Sequence, residues 1–203
     1  MQNFLNRASI TVEQIAVRPA QLSDRAAINR FAENSQRVHF NLDWWSFDQW
    51  LYADRPSEAI WLAFDQEELI GLLAVPFEQS PVVWLRSMAI GNGYPASPVF
   101  AALFTHARSV LLAHNVECVA VMAHPEWVDD LTQRLSFTYY NEIVTLRKSD
   151  RVVPDLARSP AANIRSARPE DIAAISENDR AAFDVVWWHS VNSLAHILQT
   201  VSH

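Results

Sequence analysis

Glycine is scarce in this chain. Its 203 residues include three, Gly71, Gly91 and Gly93, where roughly 14 would be ordinary. Glycine is the residue that lets backbone lie against a phosphate or take a positive φ. Dinucleotide sites of the G-x-G-x-x-G type and Gly-rich P-loops are therefore excluded by count. Lysine is scarcer still. Lys148 stands alone among 16 basic residues, so a P-loop or Schiff-base lysine has one candidate, in a tail-like stretch. One cysteine, Cys118, permits no internal disulfide and fits a reducing compartment. In an apolar strand it reads as an inert core thiol. The first residues show no charged segment followed by an apolar one, and no apolar run approaches the ~18 residues of a membrane span. The expectation is a cytoplasmic protein with no membrane partner. A net charge of −7 without a basic run lacks the footprint of a nucleic-acid binder. No Cys/His group has metal-ligand spacing, so no metal site is expected.

Aromatics run the other way, with eight tryptophans. Trp44, Trp45 and Trp50 cluster around residues 46–51, where Ser46 followed by Gln49 reads as a capping box. The chain opens with a strand-like run at 15–18 and a helical pattern carrying Ala27, Ile28 and Phe31. Residues 60–64 and 69–75 form a hairpin pattern around a polar turn. Residues 82–90 read as one further strand. A helix is predicted over 97–114, with Phe100, Leu103, Phe104, Ala107, Val110 and Leu111 on one face. Residues 118–122 read as a strand buried on both faces. Pro125 opens a helix over 126–134, and 137–140 with 143–146 read as a closing hairpin. This is an α/β pattern in a first domain of residues 1–147, followed by a Pro-containing linker at 148–162.

Residues 163–203 echo the start of the chain. Val17-Arg18-Pro19-Ala20 lines up with Ile164-Arg165-Ser166-Ala167, and Asp24 with Asp171. Trp44-Trp45 finds a counterpart in Trp187-Trp188. A partial internal repeat is expected, with the first strand and helices of the module and none of its central strands. Such a piece cannot bury its apolar face alone. It must pack on the first domain, pair with another chain or stay partly disordered, so a homodimer through this segment is one expectation.

These residues carry a family resemblance. The element order, Val17-Arg18-Pro19-Ala20 with Asp24, the opening Ile164 to Asp171, and the closing Leu131-Thr132-Gln133-Arg134-Leu135-Ser136-Phe137 resemble the GNAT superfamily of acetyl-CoA-dependent N-acyltransferases. The resemblance implies a mixed, mostly antiparallel central sheet flanked by helices and splayed between its fourth and fifth strands. Acetyl-CoA would lie in the splay, with its pyrophosphate on backbone N–H groups where the fourth strand turns into a helix. A small-molecule amine would be the acceptor. On this resemblance the donor falls to Met88, Ala89, Ile90, Gly91, Asn92, Gly93 and Ser97, and the acceptor to Trp44, Trp45 and Arg86. Glu78, Glu117 and His124 are the candidates for taking the amine proton.

The departures are specific. Pro95, Pro98 and Phe100 fall where the phosphate motif wants an Arg or Gln and two small residues, and each proline removes a donor. Thr132 stands where a tyrosine often protonates the thiolate, and Ser136 where the last strand begins with glycine. An N-acetyltransferase, a GNAT-fold module that binds without catalysing, and the leading part of a tandem GNAT protein all remain open.

Overall fold

The computed structural model describes residues 9–41, 47, 51, 59–78, 81–123, 125–144 and 164–201. After a short 3-10 turn comes β1 (Ala16–Pro19), then α1 (Arg25–Asn34) and β2 (Arg37–Phe40). Strands β3 (Ile60–Asp65), β4 (Glu68–Ala74), β5 (Val82–Trp84) and β6 (Ser87–Ile90) follow, then α2 (Ala96–Ala113), β7 (Cys118–Ala120) and α3 (Glu126–Arg134). Helices α4 (Ile172–Ala182) and α5 (Val191–Val201) form the C-terminal unit, with a 3-10 turn at Val185–Trp187 between them. Five strands make an antiparallel sheet in the order β1-β3-β4-β6-β2, while β5 and β7 pair in parallel. The expected mixed, mostly antiparallel sheet flanked by helices is present.

Period-two alternation divides the core. Trp61, Ala63, Leu73, Met88 and Ile90 face α2 and join Val99, Phe100, Leu103, Ala107 and Leu111 in one buried cluster. Ile60, Leu62, Leu72, Ala74 and Ala89 face the other way, onto Ile28 of α1 and the helical residues Phe47 and Leu51. Gly71 is where α2 lies closest to the sheet. A Cβ there would sit 2.5 Å from Val99 Cγ1, so one of the three glycines serves packing. By length and composition α2 suffices to cross a membrane (mean hydropathy 1.3). Here it is the helix that covers the sheet.

Several expectations are corrected. The single strand expected over 82–90 is two strands with different partners. Strand β2 had no sequence signal strong enough to predict it. The hairpin expected over 137–146 forms no strand within the described residues 135–144. Strand β7 spans Cys118–Ala120 rather than 118–122, and Cys118 is exposed rather than buried in a core. The strand expected near Ile164 does not form among the described residues, and Ile164 is 91% exposed. The linker at 148–162 lies outside the described residues.

Candidate functional site

The sheet divides at Leu85 and Arg86. Leu85 N–H donates to Ala120 O on the β7 side at 2.8 Å, and Arg86 N–H donates to Ala74 O on the β4 side at 2.9 Å. One residue thus transfers the chain from the parallel pair to the antiparallel sheet.

The side chains at the split form a polar cluster. Arg86 is 8% exposed. Its Nε lies 3.5 Å from Glu78 Oε1, an ion pair longer than a hydrogen bond, and its guanidinium carbon lies 5.9 Å from the Trp84 ring centre. The other carboxylate oxygen, Glu78 Oε2, accepts the Ser193 hydroxyl at 3.0 Å, and Ser193 in turn accepts from Ser190 Oγ at 3.0 Å. Trp84 Nε1–H donates to Val186 O at 2.9 Å, and the Trp84 and Trp187 rings lie 5.2 Å apart. A cavity of about 120 Å³ remains, bounded by Asn41, Glu78, Trp84, Arg86, Trp187 and His189 among others. Its size is comparable to cavities that hold a six-carbon ring. His189 is oriented by Asp179, whose Oδ2 accepts the His189 backbone N–H at 2.8 Å and whose Oδ1 lies 3.2 Å from Nδ1.

Glu78 and Arg86 are therefore brought together as candidates. Glu117 is not with them. It is exposed and lines a neighbouring groove of about 900 Å³ between α2, β7, α3 and the irregular segment 135–144. Trp44, Trp45 and His124 lie outside the described residues. Tyr139 is 81% exposed and Tyr140 is exposed too, both on that groove. A hydrogen bond to Asp184 pushes the Tyr140 phenol above its ordinary range. Thr132 donates its hydroxyl back to Asp129 O at 2.9 Å. Sequence reasoning missed Asn41, Asp179, His189, Ser190 and Ser193. The only pointer to the last four was the Trp187-Trp188 echo, which marked their segment without assigning it a place.

The expected donor residues sit on β6 and the turn after it. Strand β6 is paired on both edges, with Ser87 to Ile90 opposite β4 and again opposite β2. Gly91 N–H donates to Ile70 O at 2.9 Å on the β4 side. Alternation therefore turns the backbone groups of Met88 and Ile90 to the other edge, toward His39 and Arg37. Tyr94 N–H closes a turn onto Gly91 O at 3.2 Å, with Gly93 at φ 85° in its third position. Helix α2 begins at N-cap Pro95 with no side-chain cap, and Ser97 lies in its first turn beside Pro98. Acetyl-CoA laid along β6 does not fit this arrangement, because β2 already fills the strand edge.

No family model matches the sequence, and no curated protein matches it. Solved structures do. The structure of AAC(6′)-Iy in complex with the bisubstrate analogue CoA-S-monomethyl-acetylneamine aligns over 66% of this chain and 97% of its own, at 16% identity and a TM-score of 0.50. A transcriptional regulator from Bacillus halodurans C-125 aligns over 66% of this chain and 99% of its own, at 12% identity and a TM-score of 0.50. A five-stranded antiparallel sheet that hands over to a parallel pair, covered by helices on both faces, defines a mixed α/β class. Within that class, the chain has the GNAT fold.

Proposed function

We propose that the chain is an N-acyltransferase of the GNAT type, which moves an acyl group from acetyl-CoA to a small-molecule amine. The observation that carries this reading is the Glu78–Arg86 cluster at the strand split, beside a cavity of about 120 Å³. Acetyl-CoA would supply the thioester-activated acyl group. Glu78 is the group to take the amine proton, with Ser193 fixing the orientation of its carboxylate. Arg86 and Asn41 give the acceptor pocket its polar wall, and Trp84 and Trp187 its apolar wall. Residues 164–201 belong to the site on this reading, as a partial second repeat seated on the first unit. A solved neighbour of the same fold holds the bisubstrate analogue CoA-S-monomethyl-acetylneamine, which supports the reaction class and leaves the acceptor open.

The test is amine-dependent release of free thiol from acetyl-CoA, measured across a panel of small primary amines. Glu78→Gln is expected to lower the rate by about 10²- to 10⁴-fold. Thiol release that ignores the amine, or an unchanged rate in Glu78→Gln, contradicts the reading. A second reading, a GNAT-fold module that binds without catalysing, is favoured by one observation: the strand edge that acetyl-CoA would use is filled by β2.

A further inference from the structure

We propose that β2 is a displaceable strap, and that acetyl-CoA enters only when β2 leaves the edge of β6. The inference rests on the acyltransferase reading and starts from its disagreement with the geometry. A strand edge presents one set of N–H and C=O groups, and two occupants cannot share it. The backbone groups of Met88 and Ile90 face His39 and Arg37 across the β2–β6 ladder, so pairing with β2 and pairing with a ligand exclude each other.

Strand β2 is built to be held weakly. It has four residues, lies at the sheet's outer edge and pairs with β6 alone among the described strands. Of its side chains only His39 is fully buried, Val38 is half-buried, and Arg37 and Phe40 are exposed. By contrast β4 is paired on both sides and buries five of its seven residues.

At its far end the strand is tied by Asn41 N–H to Arg86 O at 2.7 Å and by the Phe40–Phe47 ring contact, and three further ties meet at the turn of residues 91–94. Gln36 N–H donates to Asn92 Oδ1 at 2.9 Å, Asn92 Nδ2 donates to the carbonyl of Asn34 at 3.0 Å, and Arg37 donates from NH1 to the carbonyl of Tyr94 at 2.9 Å. The turn that anchors the strap is the one into which the donor's diphosphate would come. An entering donor therefore competes with β2 for the edge of β6, beside the turn that holds the strap. The population of the strap-open state then divides directly into the apparent affinity.

The experiment uses the full chain and two variants. Arg37→Pro removes an N–H that faces β6 and the tie to Tyr94, at an exposed position; Asn92→Ala removes the two ties to residues 34 and 36. Each is titrated with acetyl-CoA by calorimetry, and hydrogen–deuterium exchange is followed at residues 37–40 and 60–65. The strap predicts that acetyl-CoA strips protection from 37–40 in the parent chain while 60–65 stays protected, and that Arg37→Pro binds at least tenfold more tightly, with Asn92→Ala between. Protection at 60–65 reports that each variant is folded. Acetyl-CoA binding in the parent with 37–40 still protected overturns the strap and leaves the acyltransferase reading standing. No binding at 1 mM in a folded Arg37→Pro whose residues 37–40 exchange freely overturns both.

Discussion

Two segments 147 positions apart build the same clasp and reach different ends. Arg18 grips Asp24 with both guanidinium arms at 2.7 and 2.8 Å, and Asp24 also accepts the Gln21 N–H at 2.8 Å. Arg165 grips Asp171 at 2.7 Å with each arm, and Asp171 accepts the Arg168 N–H at 2.8 Å. Both clasps precede a helix, α1 in one case and α4 in the other. The first clasp stands beside β1, which pairs with β3, and Arg18 covers the Phe64 ring at 4.9 Å. The second has no strand beside it, and its arginine is more exposed. A bidentate ion pair with a turn is local and forms wherever its few residues occur. A strand needs an edge to pair with, and the C-terminal unit has none of its own. It docks on the first unit through the Trp187 ring on Trp84, the Val186 carbonyl and the Ser193 hydroxyl.

The sharpest way to break this contrast is to undock the second unit. Trp187→Ala removes the ring against Trp84, and limited proteolysis should then cut within residues 172–201 at least tenfold faster while the first unit melts as before. Equal cleavage rates would show that the unit holds itself. The next probe compares the clasps directly. Asp24→Ala removes a charged fork and a backbone acceptor beside the sheet and should cost about 2 kcal/mol in chemical denaturation. Asp171→Ala, on a solvent-exposed clasp, should cost clearly less. A larger loss at Asp171 would reverse the account of which unit is integrated.

A smaller effect calibrates local strain within the first unit. Helix α3 ends in a turn where Phe137 N–H donates to Thr132 O at 3.0 Å and Ser136 takes φ 61°, a conformation glycine favours. Ser136→Gly should stabilise the chain by about 1 kcal/mol; a loss of stability would show that the Ser136 side chain does something the geometry does not reveal. Asn115, which ends α2 in the same way at φ 57°, is a residue type that tolerates that region, so Asn115→Gly should change little. The smallest effect is in acid. Arg165 holds the Asp171 carboxyl at about 2, and Arg18 lowers Asp24 as well. Both carboxyls are depressed, so the contribution of each clasp is complete above the ordinary carboxylate range. For Asp171 it is lost as pH falls from about 3.8 toward 2. Carboxyl titration by NMR should place the Asp171 midpoint near 2, and a midpoint near 4 would mean that the clasp is open in solution.

Much of this was legible in the residues. Strands 60–64 and 69–75, the long helix and the helix behind Pro125 follow from periodicity and capping, and Ser136 was identified as standing where glycine is wanted. Glu78 and Arg86 were named separately, and the fold supplied their proximity. Strand β2 was not legible because Arg37-Val38-His39-Phe40 is short and lies at an edge, so its pairing is set by β6 rather than by its own pattern. The closing hairpin failed for the complementary reason. Its alternation is present, yet β7 gives it no strand partner within the described residues. His189, Ser190 and Ser193 reach the split only through docking of a unit more than a hundred residues downstream, and no local pattern encodes that.

The central claim is that this chain's own strand β2 occupies the edge of β6 from which acetyl-CoA would be held. Amide exchange of the ligand-free chain at residues 37–40, read against 87–90 as the internal standard, tests it most directly. Protection at residues 37 and 39 well above that of an open chain, though below that of the doubly paired 87–90, is the predicted result. Free exchange at 37–40 beside a protected 87–90 would contradict it.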